Sequence, residues 1–358
     1  MSKDSTRSSA RGKGMKDPSK RASIYDVAAR AGVSIKTVSR VVNNKPNISD
    51  ETRARVQKAA ADLAYRPNIH ARGLASEHSF LIGLLYDNPS PSYVAGVQLG
   101  AMQECRERGY HLIVEELDSQ SAGLRQAVRA LAEQSSLHGV ILTPPLCDAP
   151  AVLKALAEAG QPFVQIAPAR VRPGVPYVSI DEFQAGLEMT EYLIGLGHRR
   201  IAFIKGNPHH GASQARYDGY RKGLAAAGIP FAEELCVQGY FSYQSGVEAG
   251  EMLLSLKERP TAIFSSNDDM AAGVLAASQR FDLKIPQDLS VAGFDDSEIA
   301  HVVWPRLTTC RQPIREMAAE AVSMLIERPD PDALGRHLSH QLIVGESTAA
   351  PMSARRRA

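Results

Sequence analysis

Cysteine is scarce in this chain. The four present, Cys105, Cys147, Cys236 and Cys310, lie far apart, with no CxxC and no Cys/His spacing. That excludes a disulfide framework and a zinc finger or ribbon, and makes a reducing cytosol the expected compartment. Aromatic residues amount to only 6%, with a single tryptophan, so the expected core is aliphatic and alanine-rich. No run of about 18 apolar residues occurs, so no membrane-spanning helix is expected. The first twenty residues are rich in Ser, Lys, Arg and Gly and lack the apolar stretch of a signal peptide. Also missing are a Walker loop, GxSxG, HExxH and a Gly-rich dinucleotide fingerprint after the first strand, so no enzyme, cofactor or metal is expected. The pair His209-His210, in a Pro/Gly loop, reads as solvated rather than metal-binding.

The net charge of +2 conceals a division. Residues 1–76 carry 16 Lys+Arg against 6 Asp+Glu, while the remainder carries 25 against 33. A basic head on an acidic body is the asymmetry expected when one segment meets a polyanion. The organisation reads as a disordered basic arm over 1–21, a small all-α helix-turn-helix domain over 22–67 and a hinge helix or linker over 68–78. An α/β body follows over 79–346, and a disordered tail over 347–358.

The head has an internal logic. Ser23 caps a first helix, with Asp26 completing a capping-box-like pair, and Val27, Ala28 and Ala31 form its apolar face. Gly32 supplies a left-handed helix end, and Ser34 caps a second helix. Val33, Val38 and Val42 fill the space between the two. Ser49 caps a third, which closes the small core with Val56, Ala60 and Leu63. Two short helices joined by a Gly-containing turn specify a helix-turn-helix. Ile35, Lys36 and Arg40 cannot all enter so small a core and are left for the DNA major groove. Lys36 and Arg40 can donate to guanine, and Ile35 can touch a thymine methyl. Ser34, Thr37 and Ser39 suit phosphates. Asn68 caps a helix of about two turns, too short to persist alone in water. Leu74 in that helix is the apolar wedge that can pry open a minor-groove base step.

Beyond Phe80 short apolar runs alternate with amphipathic helices: Phe80–Tyr86, His111–Val114, Gly139–Thr143, Phe163–Ile166, Tyr177–Ile180, Ile201–Ile204, Ala262–Ser265 and Ser290–Phe294. Strands alternating with helices of ten to fifteen residues imply parallel sheets with helices on both faces. There are too many strands for one small sheet, so two α/β subdomains are expected.

The runs Tyr25-Asp26-Val27-Ala28, Ala31-Gly32-Val33-Ser34, Thr37-Val38-Ser39-Arg40-Val41-Val42-Asn43 and Tyr65-Arg66-Pro67-Asn68 resemble the head of LacI/GalR bacterial repressors. The resemblance continues through Gly197-His198-Arg199-Arg200-Ile201, Arg216-Tyr217-Asp218-Gly219-Tyr220, Ser266-Asn267-Asp268-Asp269-Met270-Ala271 and Val291-Ala292-Gly293-Phe294-Asp295-Asp296. It implies a body folded like periplasmic sugar-binding proteins, with a small sugar effector held between two subdomains. It also implies a homodimer that grips a palindromic double-stranded DNA operator, most often as a repressor. In that frame Ser34, Ile35, Lys36, Thr37, Ser39, Arg40, Asn43, Asn68, Ala71 and Leu74 meet DNA, with Leu74 as the hinge wedge. Arg216, Asn267 and Asp295 are the polar effector ligands, and Phe241 the stacking aromatic. Asp87, Ser92 and Tyr93 come from the loop after the first strand. One departure is visible: many relatives carry an acidic residue after the strand Phe163–Ile166, where this chain has Ala167-Pro168. The set is chemically apt, because sugar hydroxyls both donate and accept, and a fork donor, an amide, a carboxylate and an aromatic face meet both needs.

Overall fold

The computed structural model describes residues 22–42, 48–65, 79–134, 136–330 and 333–352. Asn43, Asn68, Ala71 and Leu74 lie outside the described residues, as do the basic arm, the hinge segment and residues 353–358. Two compact units result, residues 1–78 and 79–358.

In the first unit, α1 (Ile24–Ala31), α2 (Ile35–Val42) and α3 (Asp50–Asp62) enclose one apolar cluster. Ser23 Oγ accepts from the Asp26 amide at 3.4 Å, and Asp26 Oδ2 accepts from the Ser23 amide at 2.9 Å, which closes the expected capping box. Gly32 takes φ 64°, ψ 37° and ends α1. Ser34 Oγ receives the Thr37 amide at 3.1 Å and starts α2. Val27, Ala28, Ala31, Val38 and Val56 are buried as expected. Two expectations are off by one position: Val41 is buried more deeply than Val42, and Ala59 more deeply than Ala60. In so small a core the 100° step between neighbours leaves both partly inside, and sequence alone does not rank them.

No heavy atom lies within 4 Å of a Cβ built on Gly32, so a side chain there costs backbone strain and nothing else. Gly32→Ala is expected to lower head stability by about 1–2 kcal/mol, the penalty of a left-handed L-residue. Hydrogen exchange should show lost protection over α1 and α2, with the body unchanged.

The second unit holds two parallel sheets. In the first, the order is β11 (Gly335–His337), β5 (Tyr177–Ser179), β4 (Phe163–Ile166), β3 (Gly139–Leu142), β1 (Leu81–Tyr86) and β2 (His111–Glu116). In the second it is β7 (Cys236–Gln238), β6 (Ile201–Lys205), β8 (Ala262–Ser265) and β9 (Ser290–Ala292). Strands such as β3 and β8 are buried at every position, as strands covered by helices on both faces must be. A short antiparallel pair, β10 (Thr309–Arg311) and β12 (Gln341–Ile343), adjoins the second sheet through bridges Ala292–Thr308 and Asp295–Arg311.

The chain crosses between the two subdomains three times. It leaves the first sheet after β5 for α7 (Glu182–Gly195), which packs on α8 (Gly211–Ala226). It returns after β10 as α12 (Ile314–Glu327), laid against α4 (Pro91–Arg108), and crosses again between β11 and β12. Helices α7 and α8 meet at glycines: a Cβ on Gly186 would stand 2.5 Å from the Arg216 carbonyl oxygen. The backbone of Arg216 is thereby pinned to the neighbouring helix.

The eight expected strands are all present, with ends shifted by at most two residues. Not expected from the sequence are β7, β10, β11, β12, α12 and the short helix α11 (Glu298–Val302). A three-residue strand is too short to show alternation, but α12 buries Met317, Ala318, Ala321, Val322 and Leu325 at helical spacing and was open to detection. The expected end of the body at residue 346 also falls short. Ser347 is fully buried, its Oγ accepting from the Thr308 amide, and His198 Nε2 donates to the Ala349 carbonyl at 3.0 Å. The packed chain therefore runs past the expected start of the tail.

Candidate functional site

In the head, the buried face of α2 is Val38 and Val41. The opposite face presents Ser34, Ile35, Lys36 and Arg40 as exposed residues, with Thr37 and Ser39 half-buried beside them. Ile35 is 40% exposed, which no packing requirement explains. Ser34 and Thr37 share a hydroxyl contact of 2.9 Å, so the capping serine is oriented by the helix it starts. A short helix carrying two long cations and an exposed isoleucine next to its N-terminus has the form of a groove-reading element.

In the body, a cleft lies between the subdomains. Its walls are built almost wholly from segments that follow the C-terminal ends of parallel strands, where open α/β sheets bind ligands. Asn88, Ser90 and Tyr93 follow β1, Pro144 follows β3, Ala167 follows β4 and Glu182 follows β5. From the second subdomain, His210, Ala212 and Arg216 follow β6, Phe241 follows β7, Asn267 follows β8 and Asp295 follows β9. Gln312, just after β10, completes the lining.

Arg216 is 3% exposed and is the hub. Its Nε donates to Glu182 Oε2 at 2.7 Å, its Nη1 donates to the Ser266 carbonyl, and Asp295 Oδ1 stands 3.8 Å from Nη1. The guanidinium lies over the Phe294 ring at 3.5 Å. Asp295 has φ 110°, a conformation L-residues seldom adopt, and its Oδ1 accepts from Gln312 Nε2 at 2.6 Å. Burial pushes the Asp295 carboxyl up to about 7, against the opposing pull of Arg216. Asp268, buried behind it, is raised chiefly by burial and then by Asp295. Phe241, also at positive φ (61°), rests its ring on Gly206, where a Cβ would come within 2.1 Å of the ring. Asn267 caps α10 (Asp268–Arg280) by accepting from the Met270 amide at 3.0 Å and donates to the Phe241 carbonyl at 2.9 Å. Capping and lining are one role here: the cap fixes the amide in the cleft wall.

Five of the seven expected effector residues, Tyr93, Arg216, Phe241, Asn267 and Asp295, line this cleft. Asp87 and Ser92 do not. Asp87 Oδ2 accepts from the Ser119 amide at 2.8 Å and holds the loop after β2, while Ser92 sits half-buried on α4 one residue before Tyr93. Their neighbours Asn88 and Ser90 take those places, and Ser90 Oγ donates across the cleft to Asp269 Oδ2 at 2.6 Å. The reading of His209-His210 as a solvated pair is also corrected. His209 is exposed, but His210 is 4% exposed, lines the cleft and lies 5.3 Å from the Phe241 ring. Burial lowers the His210 pKa to about 4, so its imidazole is neutral at pH 7. Glu182 and Gln312 were missed as well; each lies close to a point where the chain crosses between the subdomains, Glu182 after β5 and Gln312 just after β10.

Among the described residues no group of three or more His, Cys, Asp or Glu side chains could hold a metal ion, and no helix is long and apolar enough to cross a membrane.

A helix-turn-helix head with an α/β body of two subdomains defines a class, the DNA-binding transcriptional regulators. Residues 23–68 match the family described as bacterial regulatory proteins, lacI family, and residues 190–348 match the periplasmic binding protein-like domain. The chain is 34% identical over 330 residues to catabolite control protein A of Priestia megaterium, covering 91% of this chain and 98% of that one. It is 35% identical over 311 residues to the HTH-type transcriptional repressor PurR of Erwinia tasmaniensis, covering 86% and 90%. Among solved structures it is similar to the transcriptional regulator CelR in complex with cellobiose (TM-score 0.69, 32% identity, 91% of this chain and 100% of that one). It is likewise similar to the lac repressor dimer bound to operator and the anti-inducer ONPF (TM-score 0.76, 28% identity, 92% and 100%). The chain belongs to the lacI family of bacterial regulatory proteins.

Proposed function

We propose that this regulator is a cytoplasmic homodimer that represses carbohydrate-utilisation genes from a palindromic operator and is switched by a small sugar. The observation that carries the reading is the cleft. A fork donor, an amide, carboxylates and an aromatic ring converge there from the strand ends of both subdomains, the arrangement a polyhydroxylated ligand needs. Ligand that contacts both walls favours one relative placement of the subdomains, which alters the operator affinity of the heads, and operator must then change ligand affinity by the same factor. The relatives' names point the same way, since one is a repressor by name and one was solved with cellobiose.

The test is titration of the purified full chain against fragments of its own upstream region, at stated salt, with and without mono- and disaccharides. The expected result is salt-sensitive binding to one palindrome, weakened by a single sugar. Binding strengthened by sugar would make the ligand a co-repressor, and no specific DNA binding under any condition would overturn the proposal.

A further inference from the structure

Among the described residues only five buried side-chain atoms lack a hydrogen-bond partner within the protein, and two of them line this one cleft: Glu182 Oε1 and His210 Nε2. Buried polar atoms are nearly always paired, so two orphans in one cleft mark where a ligand supplies the missing partners. Glu182 Oε1 can only accept. Its sister oxygen Oε2 already holds Arg216 Nε at 2.7 Å, and Asp295 Oδ1 approaches the same guanidinium at 3.8 Å. The one cation in the lining is thus balanced by Glu182 alone, whatever the protonation state of Asp295. An arriving anion finds no uncompensated positive charge and meets a buried carboxylate oxygen.

We infer that Glu182 and His210 set ligand specificity: they select an uncharged polyhydroxylated ligand that donates a hydroxyl to Glu182 Oε1 and pairs another with His210 Nε2, and they exclude sugar phosphates and sugar acids. The inference rests on the sugar-effector reading above.

The test is calorimetric titration of the full chain with matched probes: glucose, glucose 6-phosphate and gluconate; ribose and ribose 5-phosphate; cellobiose and cellobionate. The expected result is binding of one neutral probe and none of its anionic counterparts. Glu182→Gln should weaken the neutral probe about tenfold or more and let its anionic counterpart bind, a gain that a merely structural role cannot give. Glu182→Asp, which keeps the charge, should still exclude anions. His210→Leu should weaken the neutral probe about three- to tenfold with operator affinity kept. Equal binding of neutral and anionic probes by the parent chain would overturn the inference and leave the sugar reading standing. So would a folded, operator-binding Glu182→Gln chain with unchanged selectivity. Binding of no probe at all, with operator affinity indifferent to every sugar, would sink both.

Discussion

Arg216→Leu is expected to destabilise the body by about 3–5 kcal/mol, the cost of removing one partner from a buried ion pair. The side chain is 4% exposed, and its loss leaves Glu182 and Asp295 buried without their cation. The loss should depend on pH, in a direction that follows from Asp295. Burial already raises that carboxyl to about 7, so between its unfolded range and about 7 the folded body binds more protons than the unfolded chain. The unfolding free energy of the parent therefore falls as pH rises through that window. Without Arg216 the folded pKa moves higher still. Below about pH 7 both proteins carry a protonated Asp295, and this residue adds nothing to their difference. Above it the parent ionises and the variant resists, so the gap in melting temperature should be wider at pH 9 than at pH 6. A gap of the same size at both values would detach Asp295 from Arg216. The variant should still bind operator where it remains folded, but no sugar should release it. Arg216→Lys should fall between, since a lysine keeps the charge without the planar fork that reaches Glu182 and the Ser266 carbonyl together.

What the sequence disclosed about the body, and what it did not, divides along one physical line. Periodicity marks elements that bury a continuous face, and so β1, β4, β8 and α10 were legible almost to the residue. Elements fixed by long-range pairing were not: β11 has three residues and exists because it lies beside β5, more than 150 positions earlier in the chain. The site shows the same division. Arg216, Asn267 and Asp295 stand in runs shared with a family and were found through that resemblance. Glu182 and His210 look ordinary in the sequence, a glutamate opening a helix and a histidine in a Pro/Gly loop. Only the crossing after β5 and the turn after β6 bring them into one cleft. The loop after β1 reaches the cleft, yet the residues lining it differ from two of those expected by a position or two. Ser90 turns inward to cap α4 and reach Asp269, which turns Ser92 away.

The head offers the other large effect. Lys36 lies on the exposed face of α2, fixed in azimuth by Val38 and Val41 in the core behind it. Lys36→Ala removes no buried area, so the head should fold as before and any change in DNA binding belongs to the contact itself. If Lys36 reads a guanine edge, its loss costs about 1–3 kcal/mol per contact. A dimer on a palindrome makes the contact twice, so operator affinity should fall by about 2–6 kcal/mol. The loss should vanish on operators in which the contacted base pair is changed in both half-sites, because the parent has nothing to gain there. Competition binding over all four base pairs at each position would show this as relaxed preference at one position per half-site. A phosphate contact would behave otherwise: every sequence would weaken alike, and the slope of log affinity against log salt would drop by about 2 for the dimer, near 0.9 for each phosphate released. Uniform weakening with that change in slope would remove Lys36 from the base-reading set and leave discrimination to Ile35 and Arg40.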